Sequence, residues 1–144
     1  MANDTMVKFG YPDSLIRDYE HWVVLLRPAQ VTLGSLILAA KSDATAFGQL
    51  APGAHAELAA VTKDIEATLL AEIGYEKINY LMLMMVDLHV HFHVLPRYEG
   101  SKSFSGTDFT DAGWPGQPDF KSAVTLHPAQ LEALRNRFSQ VWLA

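Results

Sequence analysis

Residues 89–95 read His89-Val90-His91-Phe92-His93-Val94-Leu95, an apolar run with a histidine at every second position up to residue 93. Successive side chains of a β-strand point to opposite faces. The three imidazoles are therefore predicted to form one row on one face, about 6–7 Å apart. The residues between them fall on the other face, where they pack into a core. The pattern predicts a half-buried strand with a histidine-lined front.

Three of the six histidines among the 144 residues lie in this one segment. Such clustering disfavours an interpretation as ordinary core or surface histidines. Two kinds of chemistry stay open. Neutral imidazoles at alternate strand positions are able to bind a divalent metal. Alternatively, one imidazole serves as a nucleophile or general base whose tautomer its neighbours fix. Because the chain has no cysteine, disulfides, thiolate metal sites and a cysteine nucleophile are excluded.

The run His-φ-His-φ-His-φ-φ, where φ is apolar, resembles the signature of the histidine triad superfamily. The Pro96-Arg97 pair that follows is similar to what many members carry, and residues 26–38 resemble the family's earlier strand pair. Asn79 begins a strand where members often have Asn. The resemblance covers about residues 20–100. It implies a nucleotide hydrolase or nucleotidyl transferase that acts on dinucleoside polyphosphates or nucleoside phosphoramidates.

The resemblance also implies a role for each histidine of the motif. His91 attacks the α-phosphorus and forms a covalent nucleotidyl-imidazole intermediate, which water then hydrolyses. His89 orients His91, and His93 lies against the phosphate oxygens or assists the leaving group. A neutral imidazole suits this chemistry because its unperturbed pKa of about 6.5 leaves it nucleophilic at physiological pH. The route requires no metal and no cofactor.

Several positions depart from the family pattern. Ser35 stands where members commonly carry a fourth histidine, and Met85 and Val86 stand where members often present a polar side chain to the phosphates. Arg27 lies where many members place an Asn or Asp that meets the ribose. Losing one transition-state hydrogen bond costs about 10²–10³ in rate, so a nucleotide-binding protein with little turnover stays an alternative. The predicted substrate-binding residues are Ser35, Arg27, Asn79 and Arg97.

Composition restricts the class of protein. A chain of 144 residues, 49% hydrophobic and 19% charged, has the size and balance of one domain spanning residues 1–144. The net charge of −5 argues against binding of nucleic acid polymers. No apolar run of about 18 residues and no secretory signal is evident, which predicts a cytoplasmic protein without membrane contact. The predicted partner is a small nucleotide, and the resemblance implies a homodimer.

The remaining sequence predicts an α+β fold, with a mostly antiparallel five-stranded sheet, one long helix and a C-terminal helix. Apolar residues recur at helical spacing from Leu58 to Leu69 and stop at Gly74, and Pro128 opens the C-terminal helix. The stretch 77–96 is too long for one strand of a compact domain and predicts a hairpin that turns near residues 85–88. Further predictions are a helix at Pro12–Tyr19, strands at His21–Leu26 and Leu33–Ala40, and a long loop at Tyr98–Gln117.

Side chains in and near these loops have predicted roles as well. Met82, Met84 and Met85 are predicted to fill the core, since flexible thioethers suit irregular gaps. In the long loop, Lys102 and Ser105 join Arg97 as candidate phosphate contacts, because long loops in compact domains are often functional.

Overall fold

The structure is a computed structural model and describes residues 2–144. Its helices are α1 (Asp4–Lys8), α2 (Pro52–Glu72) and α3 (Pro128–Val141), with short 3₁₀ turns at Phe47–Gln49 and Phe120–Ser122. Its strands are β1 (Leu15–Asp18), β2 (Trp22–Leu26), β3 (Ala29–Gln30), β4 (Leu36–Ala40), β5 (Lys77–Leu81), β6 (His91–Arg97), β7 (Ser101–Phe104), β8 (Thr107–Thr110) and β9 (Val124–Thr125).

Five strands form one antiparallel sheet in the order β1-β2-β4-β6-β5. Strands β3 and β9 pair separately, as do β7 and β8. The predicted α+β class is therefore confirmed, with the five-stranded antiparallel sheet, the long helix and the C-terminal helix. Among the described residues no helix combines the length and the apolar character needed to cross a bilayer.

The two faces of the sheet are buried under different elements. On one face, Val24 and Leu38 share a core with Val61 and Ile65 of α2 and with Phe138 of α3. On the opposite face lies a smaller apolar cluster, which residues of the N-terminal segment cover. Its buried members are Met6, Val23, Leu25, Ile37 and Ala39, with Phe9, Tyr11 and Leu15 packed against them. This second face carries the histidines, because Ala39 pairs with His91 and Ile37 with His93.

Gly34 stands where the chain comes close to α2 before entering β4. Its φ is +94°, and a Cβ there would lie 3.1 Å from Cγ1 of Ile73 and 3.2 Å from Cγ of Pro96. A side chain would therefore meet both strain and crowding at this position. The strand predicted at Leu33–Ala40 is present, although β4 begins at Leu36 rather than Leu33.

The predicted helix at Pro12–Tyr19 is wrong. Residues Leu15–Asp18 form β1 and pair with β2, and the first helix lies earlier, at Asp4–Lys8. Pairing with β2 supplies backbone hydrogen bonds to β1 and places Ile16 in the main core, 5% exposed. This non-local pairing overrides the local helical signal.

The predicted long loop at Tyr98–Gln117 is also wrong in part, because it contains the β7-β8 hairpin. The hairpin turns through Ser105 and Gly106, with φ values of 48° and 78°. Positive φ at both central residues is the turn geometry that suits the twist of a two-residue hairpin. Ser105 therefore lies at an exposed hairpin tip.

The predicted hairpin within residues 77–96 is confirmed, with β5 and β6 as its strands. The connection is longer than predicted, since it runs from residue 82 to residue 90 and ends just before His91. Met82 and Met84 pack against the core as predicted. Met85 is 81% exposed, so the prediction that it fills the core is wrong.

Candidate functional site

His91 opens β6 and lies entirely out of contact with solvent. Its Nδ1 is 2.7 Å from the backbone carbonyl oxygen of His89. A carbonyl oxygen only accepts hydrogen bonds, so in the neutral ring Nδ1 carries the proton and Nε2 carries the lone pair. Among the described residues, Nε2 of His91 is the one buried side-chain N or O atom without a hydrogen-bond partner. An unpaired buried acceptor of this kind calls for a functional explanation.

His93 lies two residues further along β6, with its ring centroid 5.2 Å from that of His91. Its Nδ1 accepts a hydrogen bond of 3.3 Å from Nε of Arg27, so the proton of the neutral ring is on Nε2. Burial, followed by the charges of Arg27 and His91, lowers the pKa of His93 to about 4. His93 is therefore a neutral hydrogen-bond donor at neutral pH.

His89 lies outside β6, so the prediction of three imidazoles in one row is wrong for this residue. Its Nδ1 is 2.9 Å from the carbonyl oxygen of Asp43, and its backbone N–H donates to Oγ1 of Thr5. The chain is thus not extended before Val90, and only His91 and His93 share the strand face. His89 contacts His91 through its backbone carbonyl rather than through its imidazole.

Arg27 follows β2 and brings a cation to His93. Its guanidinium is 5.4 Å from the ring centroid of Phe120, and its Nη1 donates to the carbonyl of Ala29. Burial lowers the pKa of Arg27 from its ordinary value, yet an arginine in a protein keeps its proton. Within residues 2–144, no carboxylate lies within 4.0 Å of this guanidinium. A partly buried positive charge of this kind is suited to bind an anion.

Two aromatic rings that the sequence did not indicate cover the histidines. The centroid of Phe9 is 5.6 Å from that of His91 and 5.7 Å from that of His93. The ring centroid of Phe120 lies 5.5 Å from that of His93. Both phenylalanines are distant from the motif in the chain, so only tertiary structure brings them to it. Phe9 therefore packs close to both imidazoles and contributes to the burial of the His91 ring.

The helix that precedes Phe9 is held in place by four polar contacts. Nδ2 of Asn3 donates to the carbonyl oxygens of Ala40 and Ser42, at 2.9 and 3.0 Å. Oγ1 of Thr5 accepts from the backbone N–H of His89, and Lys8 forms a 3.2 Å ion pair with Asp87. Through Thr5 and Lys8, the N-terminal segment therefore contacts residues 82–90, the connection that leads into β6.

Ser35 and Arg97, two of the predicted substrate contacts, have internal partners instead. The Ser35 hydroxyl is fully buried and donates to the carbonyl of Thr32, 2.7 Å away. Arg97 donates to both carboxylate oxygens of Asp111, at 2.7 and 3.0 Å, and to the carbonyl of Gly116. Because Asp111 already balances its charge, Arg97 is built into the fold.

Asn79 and Lys102 likewise have partners other than the histidines. The Asn79 side-chain oxygen accepts from Nη1 of Arg97, and Nζ of Lys102 lies 5.2 Å from the Tyr98 ring centroid. Of the four substrate-binding residues predicted from the sequence, the structure thus brings only Arg27 into contact with the triad.

Comparisons with known proteins identify the fold. No protein-family model matches this chain, and no functionally curated protein matches it. A histidine triad protein from Sinorhizobium meliloti superposes with a TM-score of 0.75 over 98% of this chain and 96% of its own, at 23% sequence identity. This chain has the histidine triad fold. A histidine triad protein from Bradyrhizobium japonicum gives a TM-score of 0.70 over 99% and 98% of the two chains, at 14% identity.

The same fold occurs in a structure with a named activity. The diadenosine triphosphate hydrolase of Plasmodium falciparum superposes with a TM-score of 0.65, at 8% identity, over 90% of this chain and 76% of its own. The resemblance to histidine triad proteins that the motif predicts is therefore confirmed by the fold. Within this histidine triad fold, His91 and His93 lie together on β6, with Arg27 beside them.

We expect Phe9→Ala to make His91 more reactive toward an imidazole-modifying reagent such as diethyl pyrocarbonate. Removing the ring opens a path to Nε2, which is buried in the intact protein. The measurement is peptide mass spectrometry of modification rates, with an increase of about tenfold expected for His91. His55, which contacts Phe47 instead, is the internal control. An unchanged His91 rate in Phe9→Ala would mean that Phe9 does not cover the ring in solution.

We expect the stability of the protein to fall as the pH drops from about 6.5 to about 4, in part because of His93. Its pKa is lower in the folded state, at about 4, than the ordinary 6.5, so the unfolded chain binds more protons in this window. The contribution is fully present above pH 6.5 and amounts to at most about 3 kcal/mol. Urea unfolding of wild type and His93→Asn at pH 7, 5.5 and 4 measures it. Identical pH dependence in both proteins would contradict the expectation.

Proposed function

We propose that this chain belongs to the histidine triad superfamily and is a nucleotidyl hydrolase or transferase with Nε2 of His91 as its nucleophile. The observation that carries the proposal is the buried, unpartnered Nε2 atom on a ring whose other nitrogen donates to a carbonyl. That arrangement fixes the lone pair on Nε2 of a ring that lies beside those of His93 and Phe9. A nucleophile held in one tautomer needs no further base to react.

The proposed reaction has two steps. In the first, Nε2 of His91 forms a bond to the α-phosphorus, and the bond from phosphorus to the leaving group breaks, with its electron pair departing on that group. The imidazole becomes positively charged, and the hydrogen bond from Nδ1 to the His89 carbonyl stabilises that charge. In the second, water attacks the phosphorus, the P–N bond breaks with its electron pair returning to Nε2, the water's proton passes to solvent, and free His91 is restored. A different acceptor in place of water gives a transferase.

His93 is suited to stabilise the transferred phosphate in both steps. Its Nε2–H donates to a phosphate oxygen, while Nε of Arg27 donates to Nδ1 of the same ring and keeps that donor in place. Fixed donors and charges in a site shielded from water stabilise the charge that develops on the phosphoryl oxygens. His89 contributes by orienting His91, through its carbonyl oxygen.

A nucleotide-binding protein with weak or no turnover is the second candidate. The observation that favours it is the lack of polar groups where the family pattern predicts them. The Ser35 hydroxyl is used inside its own turn, and Met85 and Val86 are 81% and 82% exposed. A metal site receives no such support, since within the described part of the chain no three His, Asp or Glu side chains are grouped to hold an ion. The homodimer and the cytoplasmic location stay predictions.

The test of the proposed function is hydrolysis of diadenosine tetraphosphate and of a fluorogenic adenosine phosphoramidate by the wild-type protein with chelator present. We expect turnover of at least one substrate that chelator does not diminish. Absence of turnover of both, with nucleotide binding measured by calorimetry, would favour the binding protein. Turnover that chelator abolishes would instead favour the metal-dependent alternative.

A further inference from the structure

Arg27 has one nitrogen left for a ligand. Its Nε donates to His93 and its Nη1 to the carbonyl of Ala29, while Nη2 has no protein partner within residues 2–144. The Phe120 ring lies 5.4 Å from the guanidinium, which limits its freedom. The His93 imidazole therefore lies beside a fixed positive charge that no carboxylate of the described residues neutralises.

The contact between Arg27 and His93 also determines what His93 is able to do. Because Nδ1 of His93 accepts from a cationic N–H, a second proton on that ring has no place to bind without displacing Arg27. Nε2–H thus remains a hydrogen-bond donor, and His93 has no spare proton to give. His91 has none either, since its Nδ1–H points to the His89 carbonyl. Neither ring on β6 is a general acid for the leaving group.

Leaving groups differ in their need for such an acid. When the bond from the α-phosphorus to a bridging oxygen breaks, the electron pair departs on a nucleoside polyphosphate, which is stable as an anion. When a P–N bond of a phosphoramidate breaks, the electron pair departs on nitrogen, which requires a proton to leave as an amine. A guanidinium stabilises the departing polyphosphate and opposes protonation of the departing amine.

We propose that Arg27 makes this site selective for nucleotides whose leaving group departs as a phosphate anion, such as dinucleoside polyphosphates, over phosphoramidates. This inference rests on the proposed nucleotidyl chemistry and names its substrate class. Arg27 acts by contact with the anionic leaving group and by holding His93 as a neutral donor. The position thereby becomes the determinant of specificity in the site.

The test compares kcat/KM for diadenosine tetraphosphate with kcat/KM for an adenosine alkylphosphoramidate, in wild type, Arg27→Met and Arg27→Lys. The two substrates transfer the same adenylyl group, so a merely structural defect lowers both values equally. We expect wild type to prefer the polyphosphate. Arg27→Met should lose about 10²-fold on the polyphosphate and at most a few-fold on the phosphoramidate. Arg17→Met, a change at an exposed arginine on β1, should leave both values unchanged.

Arg27→Lys keeps the positive charge. It provides a second variant for the comparison if Arg27→Met fails to fold. We expect it to retain part of the preference for the polyphosphate. A wild type that prefers the phosphoramidate, or an Arg27→Met protein that loses the same factor on both substrates, would overturn the selectivity and leave the nucleotidyl function standing. No turnover of either substrate by wild type would overturn the proposed function and this inference with it.

Discussion

Replacement of His91 with alanine is expected to lower turnover by at least about 10⁴-fold while leaving the fold intact. The substitution removes the proposed nucleophile, and neither neighbouring histidine is placed to substitute for it. His89 directs its ring to the Asp43 carbonyl, and the Nδ1 of His93 is taken by Arg27. The measurement is kcat/KM with the better of the two adenylyl substrates, in the presence of chelator.

Two further variants separate loss of the nucleophile from loss of structure. His91→Asn keeps an N–H donor for the His89 carbonyl and nearly the same volume, and it should be as inactive as His91→Ala. His55→Ala removes a histidine of α2 that contacts Phe47, and it should retain full activity. Thermal unfolding of all three checks their folding. A His91→Asn protein with more than a tenth of wild-type turnover would exclude His91 as the nucleophile.

Arg97→Met is expected to destabilise the protein by about 3–5 kcal/mol, the largest stability effect we expect for a single change in this chain. The side chains of Arg97 and Asp111 are 4% and 1% exposed, and two hydrogen bonds join them. Removing the cation leaves a buried carboxylate without its counter-charge. It also removes the donors to Asn79 and to the carbonyl of Gly116. Urea unfolding at pH 7 gives the change in free energy.

The matched control is Arg137→Met, which removes another two-pronged ion pair, to Glu72, in a more exposed setting. The Arg137 side chain is 54% exposed, so we expect a loss below about 1 kcal/mol. Arg97→Met combined with Asp111→Leu should recover part of the stability, because it leaves no unpaired charge. Equal losses for Arg97→Met and Arg137→Met would show that the buried pair has no special role.

The regular elements were largely predictable because they leave a periodic trace in the sequence. Apolar residues between Leu58 and Leu69 recur at helical spacing and form the inner face of α2. Pro128 opens α3 as predicted. The alternation in residues 90–95 gives β6 its two faces, with Val94 in the main core and His93 opposite. The length of the stretch 77–96 also requires a hairpin. These elements together were enough to predict an antiparallel α+β fold.

Elements that depend on a distant partner were not predictable. Residues 15–18 form a strand because β2 is there to pair with them, and no local pattern distinguishes them from a short helix. The β7-β8 hairpin left only a weak signal, the Ser105-Gly106 pair at its turn. The start of β6 at His91 rather than at His89 likewise depends on a distant partner, since the pairing with β4 includes His91 but not His89.

The position of the histidine cluster was predictable, and its surroundings were less so. The motif indicated His91 and His93, and position in the sequence indicated Arg27. The cover formed by Phe9 and Phe120 was not visible, because both rings arrive from segments far from the motif. The sequence likewise gave no sign that Arg97 is paired, since Asp111 lies 14 positions away along the chain.

The most direct test of the central claim is capture of the covalent intermediate. Wild-type protein is mixed with diadenosine tetraphosphate or the phosphoramidate, quenched during turnover in alkaline denaturant to preserve the P–N bond, and digested for mass spectrometry. The account predicts an adenylyl group on His91, absent from His91→Ala. Turnover without any adduct, or with an adduct on a residue other than His91, would contradict it.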